Sequence, residues 1–279
     1  MLAIIGGLAT AVAWTATTLA AARGSRLIDP MSLLATVMTV GFVIAVPAAF
    51  ASGTPHVGGA SAAWLVISGL GNVAGLLFNY SALRIGKVGM VAPITSTEGA
   101  IAAVIAVGAG QSLSAGTAVT LAVIAAGVVL AARAESGESR HHDIRAAFLA
   151  GGAALSFGAS IYATGKVGQD LGVAWAALPP RVVGVAVLAL PLAFTRRWRM
   201  TRAALPFAVA GGVFEVVGFL TYAFGARHNL AVAAVLASQF AGLSVVCGYF
   251  FWRERLTRIQ LAGIAAIVVG VSVLSALHS

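Results

Sequence analysis

Residues 133–145 read RAESGESRHHDIR and form the most polar stretch of the chain. They separate residues 1–132 from residues 146–279, and both flanking segments consist of long apolar runs with short polar breaks. The sequence therefore predicts two apolar halves joined by one hydrophilic connection.

The composition indicates the solvent in which these halves fold. Hydrophobic side chains make up 60% of the 279 residues, in addition to 33 glycines, and the mean hydropathy is +0.99. Charged residues make up only 9%, whereas a soluble domain has about 25%. These values exclude a soluble enzyme, a disordered chain and a nucleic-acid-binding protein, and they indicate lipid surroundings. The single cysteine, Cys247, excludes an intramolecular disulfide and a cysteine-based zinc site, and we expect neither a metal nor a cofactor.

Ten apolar runs have about the length of a membrane-spanning helix, which is roughly 20 residues. Strand-like alternation of polar and apolar residues is missing, so the spans are expected to be helices rather than strands of a barrel. The predicted spans cover residues 2–21, 32–51, 60–83, 88–108, 116–132, 146–164, 173–194, 204–225, 230–251 and 259–277. We therefore expect an all-α integral membrane protein with ten transmembrane helices.

The basic residues are distributed unequally between the connections. Of the 17 Lys and Arg residues, 14 follow spans 1, 3, 5, 7 and 9. They are Arg23, Arg26, Arg84, Lys87, Arg133, Arg140, Arg145, Arg196, Arg197, Arg199, Arg202, Arg253, Arg255 and Arg258. Basic residues are in excess in the cytoplasmic loops of membrane proteins. We therefore expect the odd-numbered connections in the cytoplasm, both termini outside, and the protein in the cell (inner or plasma) membrane.

The two halves resemble each other at a nearly constant offset. The matches are Gly6-Gly7 with Gly151-Gly152, Arg84 with Arg227, Gly99 with Gly242, Leu113 with Leu256, and Ala122, Ile124, Gly127 and Val128 with Ala265, Ile267, Gly270 and Val271. Residues 1–132 are thus predicted to be a first repeat with helices 1–5, residues 133–145 a cytoplasmic linker, and residues 146–279 a second repeat with helices 6–10. Because five is odd, the repeats enter the membrane in opposite orientations, and such inverted repeats are typical of transporters.

Several segments resemble the EamA-type modules of the drug/metabolite transporter superfamily. Residues 253–257, RERLT, with Gln260 and Gly263 after them, are similar to the family segment GERLT..Q..G, although Arg253 replaces the usual glycine. Residues 110–114, GQSLS, are the first-half counterpart, in which Gln111 replaces the acid. Residues 80–99 and 221–242 resemble the family's turns between helices 3 and 4 and helices 8 and 9. The resemblance implies a ten-helix exporter or permease of amino acids or similar amphiphiles, with a cavity lined mainly by helices 1–4 and 6–9.

Three ionisable residues lie inside predicted spans, where each costs about 2.5–3.5 kcal/mol on insertion scales. Glu98 is near the middle of span 4, Glu215 near the middle of span 8, and Arg181 about eight residues into span 7. Either acid is a candidate for proton coupling or substrate binding, and the alternative for each is a neutral or ion-paired structural role. Arg181 is a candidate partner of Glu215 or of a substrate carboxylate.

Further polar and aromatic residues within the spans are weaker candidates for a cavity wall. They are Trp14, Asn72, Asn79, Tyr80, Ser96, Tyr162, Tyr222, Ser238 and Gln239. Aromatic walls suit amphiphilic ligands, but interhelical hydrogen bonds explain such residues equally well. Gly71 and Gly75 form a GxxxG pattern that favours close helix packing within a monomer.

The sequence contains no GxxxxGK[ST] nucleotide loop and no catalytic motif, so we do not expect an enzyme or an ATP-driven pump. We expect a secondary transporter, in the outward direction, that alternates access to a small-molecule substrate. A facilitator without proton coupling stays open. The alternatives are a translocase of lipids or lipid-linked sugars, a membrane-embedded enzyme, and a structural protein with a dry core.

Overall fold

The fold is all helical in every part of the chain that the computed structural model describes, which is residues 1–53, 57–109, 115–131, 139–167, 175, 177–228, 236–237 and 239–277. Its helices are α1 (Leu2–Leu27), α2 (Pro30–Ala51), α3 (Gly59–Ile85), α4 (Val88–Thr95), α5 (Glu98–Gly108), α6 (Ala115–Ala131), α7 (Ser139–Val167), α8 (Pro179–Phe194, with a π-helical turn at Val185–Ala189), α9 (Leu205–His228), α10 (Phe240–Trp252) and α11 (Arg258–Leu277).

The helices form ten segments in the described residues, because α4 and α5 together make up one broken segment. The helices α1, α2, α3, α7 and α9 are each long and apolar enough to cross a membrane. The expected class, an all-α membrane protein of ten helices in two repeats, is confirmed. Helix α7 begins at Ser139, so residues 139–145 of the polar connection are helical, whereas residues 132–138 lie outside the described part.

The fourth predicted span, residues 88–108, is wrong as one continuous helix. It breaks after Thr95 and restarts at Glu98, and at the break the backbone N–H of Thr97 donates to the Ile94 carbonyl at 3.2 Å instead of to the carbonyl of Pro93. The hydroxyl of Ser96 donates to the Pro93 carbonyl at 2.8 Å, and that of Thr97 donates to the Ile94 carbonyl at 2.7 Å. The Ser/Thr cluster therefore satisfies the loosened backbone, and it places Glu98 at the N-terminus of α5 rather than inside a helix.

Close glycine contacts show that the two halves are related by a pseudo-two-fold axis. In α3, Gly75 abuts the ring of Phe157 in α7, and in α9, Gly218 abuts the ring of Trp14 in α1. The two glycines, Gly75 and Gly218, are 143 positions apart, and so are the two rings, Trp14 and Phe157. Equivalent helices therefore make equivalent contacts with exchanged partners.

The same offset holds in three further pairs of contacts. They are Gly69 on Val183 with Gly212 on Val40, Gly41 on Arg181 with Gly184 on Met38, and Gly127 on Ile267 with Gly270 on Ile124. One predicted match departs from it, because the offset of 143 makes Leu149, not Gly151, the equivalent of Gly6. With five segments in each half, equivalent helices run in opposite directions, as an inverted repeat requires.

The two longest helix contacts join the halves to each other. Helix α3 packs along α7, and its symmetry equivalent α9 packs along α1. Helices α6 and α11 pack mainly on each other and only lightly on α4 and α5. The last segment of each half is thus peripheral, and the first four segments of each half surround the centre.

Hydrogen bonds between connections show which ends of the helices lie together. In the last turn of the first segment, Arg26 donates to the carbonyl of Leu83 in the last turn of the third segment and to that of Gly86 just after it. The backbone N–H of Arg199, after the seventh segment, donates to Ser32 Oγ at 3.2 Å. At the other end of the bundle, Trp175 Nε1 donates to the carbonyl of Gly53. The bonds of Arg26 and Arg199 join odd-numbered connections at one end of the bundle, which we call the odd-loop end, whereas Trp175 and Gly53 belong to even-numbered connections.

The segment RERLT..Q has a structural explanation in this fold. Glu254 accepts hydrogen bonds from the first two backbone N–H groups of α4, Val88 to Oε1 and Gly89 to Oε2, each at 2.8 Å. Thr257 and Gln260 form a reciprocal capping box at the start of α11, with distances of 3.0 and 3.1 Å. The first-half counterpart at Gln111 lies outside the described residues.

The close approach of α1 to α9 gives a prediction about packing. A Cβ atom at Gly6 would lie 2.6 Å from the Cα of Gly225, and backbone atoms have no rotamer by which to move away. We expect Gly6→Ala to destabilise the purified protein by about 1–3 kcal/mol in a thermal unfolding experiment in detergent. The control is Gly151→Ala, because a Cβ there meets no atom within 4 Å. Equal midpoints for the two variants would contradict this packing.

Candidate functional site

The centre of the bundle contains a buried ion pair. Arg181 lies in the first turn of α8, after two prolines that set the start of that helix, and Glu215 lies near the middle of α9. Nη2 of Arg181 is 3.8 Å from Oε1 of Glu215, and the two residues are 0% and 7% exposed. Of the two partners that the sequence leaves open for Arg181, which are Glu215 and a substrate carboxylate, Glu215 lies beside it, and the burial of both residues makes the pair costly to separate.

The guanidinium of Arg181 has more donors than the ion pair uses. In the described part of the chain, Nε, Nη1 and Nη2 have no hydrogen-bond partner, and the same is true of the hydroxyl of Tyr80, which is fully buried in α3. The Tyr80 hydroxyl lies beside α9 one turn before Glu215, because a Cβ at Gly211 would be 3.8 Å from its oxygen. Gly41 in α2 provides room for the arginine, since a Cβ there would lie 3.3 Å from Arg181 Cγ.

Aromatic rings adjoin this charged pair. Cζ of Arg181 lies 4.8 Å from the ring centroid of Phe219, one helical turn after Glu215, in a cation–π arrangement. Trp14 of α1 contacts three rings, which are Phe219 at 6.0 Å, Tyr222 at 6.1 Å and Phe240 at 5.9 Å between centroids. We call Trp14, Phe219, Tyr222 and Phe240 the ring cluster, and it joins α1 of the first half to α9 and α10 of the second.

Glu98 adjoins the same region from the break between α4 and α5. Its side chain is half-buried, and its charge interacts with that of Glu215 and with the hydroxyl of Tyr222. Its position in the first turn of α5 favours a negative charge through the helix dipole.

The pseudo-symmetry provides an internal comparison for the ion pair. At the offset of 143, Met38 in α2 is equivalent to Arg181, and Asn72 in α3 is equivalent to Glu215. The first half thus folds into the same arrangement with two uncharged residues at these positions. The architecture does not require the ion pair, which therefore needs an explanation other than packing.

The other candidate residues lie in different surroundings. Asn79 accepts a hydrogen bond from Thr95 at 3.2 Å, and Gln239 donates to Ser272 of α11 at 2.7 Å. Tyr162 of α7 packs edge-on against Trp64 of α3, with centroids 5.9 Å apart, outside the ring cluster. These contacts join helices. Ser96 bonds its own turn, as described above, Asn72 is buried in α3, and Ser238 lies outside the described residues.

Two residues of the site do not stand out in the sequence. Phe219 and Phe240 belong to a chain with 13 phenylalanines, most of which suit a lipid-facing or packing role equally well. The spacing of four between Glu215 and Phe219, which places them on one helix face, was the available signal. Among the described residues, no group of three or more His, Cys, Asp or Glu side chains is placed to hold a metal ion.

Comparisons with known proteins agree with this architecture. The sequence model of the EamA-like transporter family matches residues 1–133 and residues 144–276, so it covers both halves. Among curated proteins, none matches this sequence. Eighteen chains of solved structures match the fold, and one of them, described as a crystal structure of a protein, has a TM-score of 0.65 at 18% identity. That alignment covers 99% of this chain and 98% of the other, and at this identity it shows a shared fold alone. Because the family model matches both halves, the chain belongs to the EamA-like transporter family and is a multi-pass membrane transporter.

Proposed function

We propose that the protein is a secondary transporter that exports small organic metabolites, with amino acids or similar amphiphiles as the leading class. The observation on which this rests is the buried Arg181–Glu215 pair beside the ring cluster, at the contact between the two halves. A charged group next to aromatic rings suits a molecule with one charged and one apolar part. The family resemblance implies an exporter or a permease, and of these two we propose the exporter.

The proposed orientation follows the basic residues. The odd-loop end carries most of the Lys and Arg side chains of the chain, and such ends face the cytoplasm. The protein would then lie in the cell membrane with both termini outside. We further propose that it acts as a monomer. Substrate, lipids and protons are the proposed partners, and no chemical conversion of the substrate is expected.

The pseudo-two-fold axis supports alternating access as the mechanism. Since the halves make equivalent contacts, each is able to adopt the conformation of the other, which gives two states of similar free energy that open to opposite sides. The α1–α9 and α3–α7 contacts cross between the halves and are the surfaces on which rocking would occur. Glu98 begins α5 directly after the break in the α4–α5 segment, and rocking of the halves would change the surroundings of this residue.

Transport itself is tested by metabolite profiling of cells that lack or overproduce the protein, followed by counterflow of the identified compounds in proteoliposomes. We expect the substrate to accumulate inside cells that lack the protein and to exchange across the proteoliposome membrane. Empty liposomes are the control. Movement of a labelled lipid, with no exchange of any small metabolite, would favour the alternative translocase and contradict this proposal.

Proton coupling through the buried acids gives a second prediction. We expect Glu98→Gln with Glu215→Gln to abolish accumulation driven by a pH gradient, because neither side chain is then able to bind and release a proton. Counterflow at equal pH should continue, although more slowly. The single variants, measured in the same proteoliposomes, identify the coupling residue. Gradient-driven flux that is unchanged in the double variant would remove both acids from the mechanism.

A further inference from the structure

We propose that Arg181 and Tyr80 form a subsite for the carboxylate of the transported molecule, and that Glu215 is the internal carboxylate that this group displaces. The inference rests on the proposed transport function and names the chemical class of its substrate. That class is small carboxylates that bear an apolar body.

The first argument is the surplus of donors. A guanidinium has five N–H groups, and a buried polar group is nearly always hydrogen-bonded. Arg181 is 0% exposed, yet the nearest charged acceptor, Oε1 of Glu215, is 3.8 Å from Nη2 and beyond hydrogen-bond distance. The hydroxyl of Tyr80, also 0% exposed, has no partner in the described residues either. The two groups thus present several donors and call for an acceptor.

The second argument is that these donors occur in only one of the two halves. At the offset of 143, Met38 is equivalent to Arg181, and Ala223 is equivalent to Tyr80. The same backbone arrangement is therefore built without either donor. A requirement of folding would apply to both halves, whereas a requirement of ligand binding is met by one copy at the centre.

The third argument is the match between the guanidinium and a carboxylate. The planar fork of an arginine binds a carboxylate through two parallel hydrogen bonds, and these are stronger than bonds between neutral groups. A substrate carboxylate that approaches within 3 Å, roughly the normal distance for such bonds, would compete with Glu215 for the same charge. The 3.8 Å separation leaves the existing pair weaker than the one that would replace it.

The fourth argument is the position of the ring cluster. Phe219 covers one face of the guanidinium at 4.8 Å and also contacts Trp14, whose ring rests on Gly218. A carboxylate bound at Arg181 therefore has an aromatic surface beside it. Such a surface favours a substrate whose other end is apolar or aromatic, and it disfavours short polar acids.

The experiment compares four probes of similar shape by thermal stabilisation of the detergent-purified protein. L-Phenylalanine and 3-phenylpropanoate have a carboxylate, L-phenylalaninamide has a neutral amide in its place, and 2-phenylethylamine has neither. We expect the two carboxylates to stabilise the wild type at concentrations at least tenfold lower than the amide and the amine. Equal potency of all four, or no stabilisation by either carboxylate, would overturn the proposal.

Variants assign the preference to the two residues. Arg181→Met with Glu215→Asn introduces the residue pair of the first half, and it should lose the tenfold preference for carboxylates. Tyr80→Phe should weaken the binding of the two carboxylates about threefold to tenfold and leave the binding of 2-phenylethylamine unchanged. This variant also tests the proposal if the double variant does not fold. Met38→Leu, at the position equivalent to Arg181, is the matched control and should keep the preference. A double variant that folds and keeps the preference would contradict the assignment.

Flux measurements in proteoliposomes separate this inference from the proposed function. If carboxylates bind selectively but do not cross the membrane, the result would support the subsite and contradict transport. The opposite outcome is that carboxylates and amines cross the membrane at equal rates, and that the double variant Arg181→Met with Glu215→Asn has the same flux as the wild type. That outcome would support transport and contradict the proposed subsite.

Discussion

Arg181→Met alone is expected to lower the thermal unfolding midpoint strongly, and adding Glu215→Asn is expected to restore most of the loss. Removing one partner of a buried ion pair leaves the other charge without compensation, which costs about 3–5 kcal/mol in proteins of known stability. Replacing both partners by uncharged residues of suitable shape removes that cost. Glu215 is 7% exposed, so solvent offers it little help once the arginine is gone.

The chosen pair of substitutions is one that this architecture already tolerates. Met38 and Asn72 occupy the equivalent positions in the first half, where Met38 packs on Gly184 as Arg181 packs on Gly41. The measurement is circular dichroism of the detergent-purified wild type, Arg181→Met, Glu215→Asn and the double variant. The coupling free energy from this cycle should be at least about 1 kcal/mol. Additive effects of the two single changes would show that the charges do not stabilise each other.

The architecture was largely predictable because a bilayer leaves few solutions. Apolar runs of about 20 residues must be helical in lipid, and basic residues on alternate connections fix the count. The repeat was visible in pairs such as Arg84 and Arg227, whose spacing is the one that the glycine contacts show. The match of Gly6-Gly7 with Gly151-Gly152 has an offset two residues larger than the one that the glycine contacts show. Because glycine is abundant in this chain, such a shifted match is as easy to find by sequence as the correct one.

The candidate site was predictable only in its charged members. Glu98, Arg181 and Glu215 are conspicuous because ionisable groups are rare in spans, but sequence alone does not place them on facing helices. The break at residues 96–97 depended on how Ser96 and Thr97 bond the preceding turn, which Pro93 suggests but does not determine. The ring cluster is a product of tertiary packing, and its phenylalanines resemble those that face lipid.

The contact of Glu254 with α4 has a consequence for the transport cycle. Glu254 belongs to the second half and α4 to the first, so the two hydrogen bonds join the halves at the odd-loop end. Lys87 strengthens this connection by donating from Nζ to the Arg255 carbonyl at 2.9 Å. The other end of α4 leads through the helix break to Glu98. If the proposed rocking opens the odd-loop end, these bonds between the halves would have to break, and the segment that holds Glu98 would move.

Glu254→Ala is therefore expected to shift the protein toward the state in which the odd-loop end is open. The lost bonds involve an ionised acceptor at a helix N-terminus, and each such bond contributes about 1.5–3 kcal/mol. Loss of both bonds therefore changes the free-energy difference between the two states by about 3 kcal/mol or more, which shifts a two-state population by roughly 150-fold or more. The measurement is the distance between spin labels at Arg84, near the end of α3, and Arg258, at the start of α11, which are both exposed and make none of these bonds.

A pair of glycine variants makes this test independent of the charge. A Cβ at Gly248 would lie 2.7 Å from Oε2 of Glu254, so Gly248→Ala should push the carboxylate off α4 while keeping its charge. Gly242→Ala lies on the same helix, where a Cβ meets nothing within 4 Å, and should leave the label distance unchanged. If Glu254→Ala and Gly248→Ala both gave the wild-type distance distribution, the bonds would be a local helix cap with no part in opening. A shift in both, with none in Gly242→Ala, would identify Glu254 as the residue that holds the two halves together at this end.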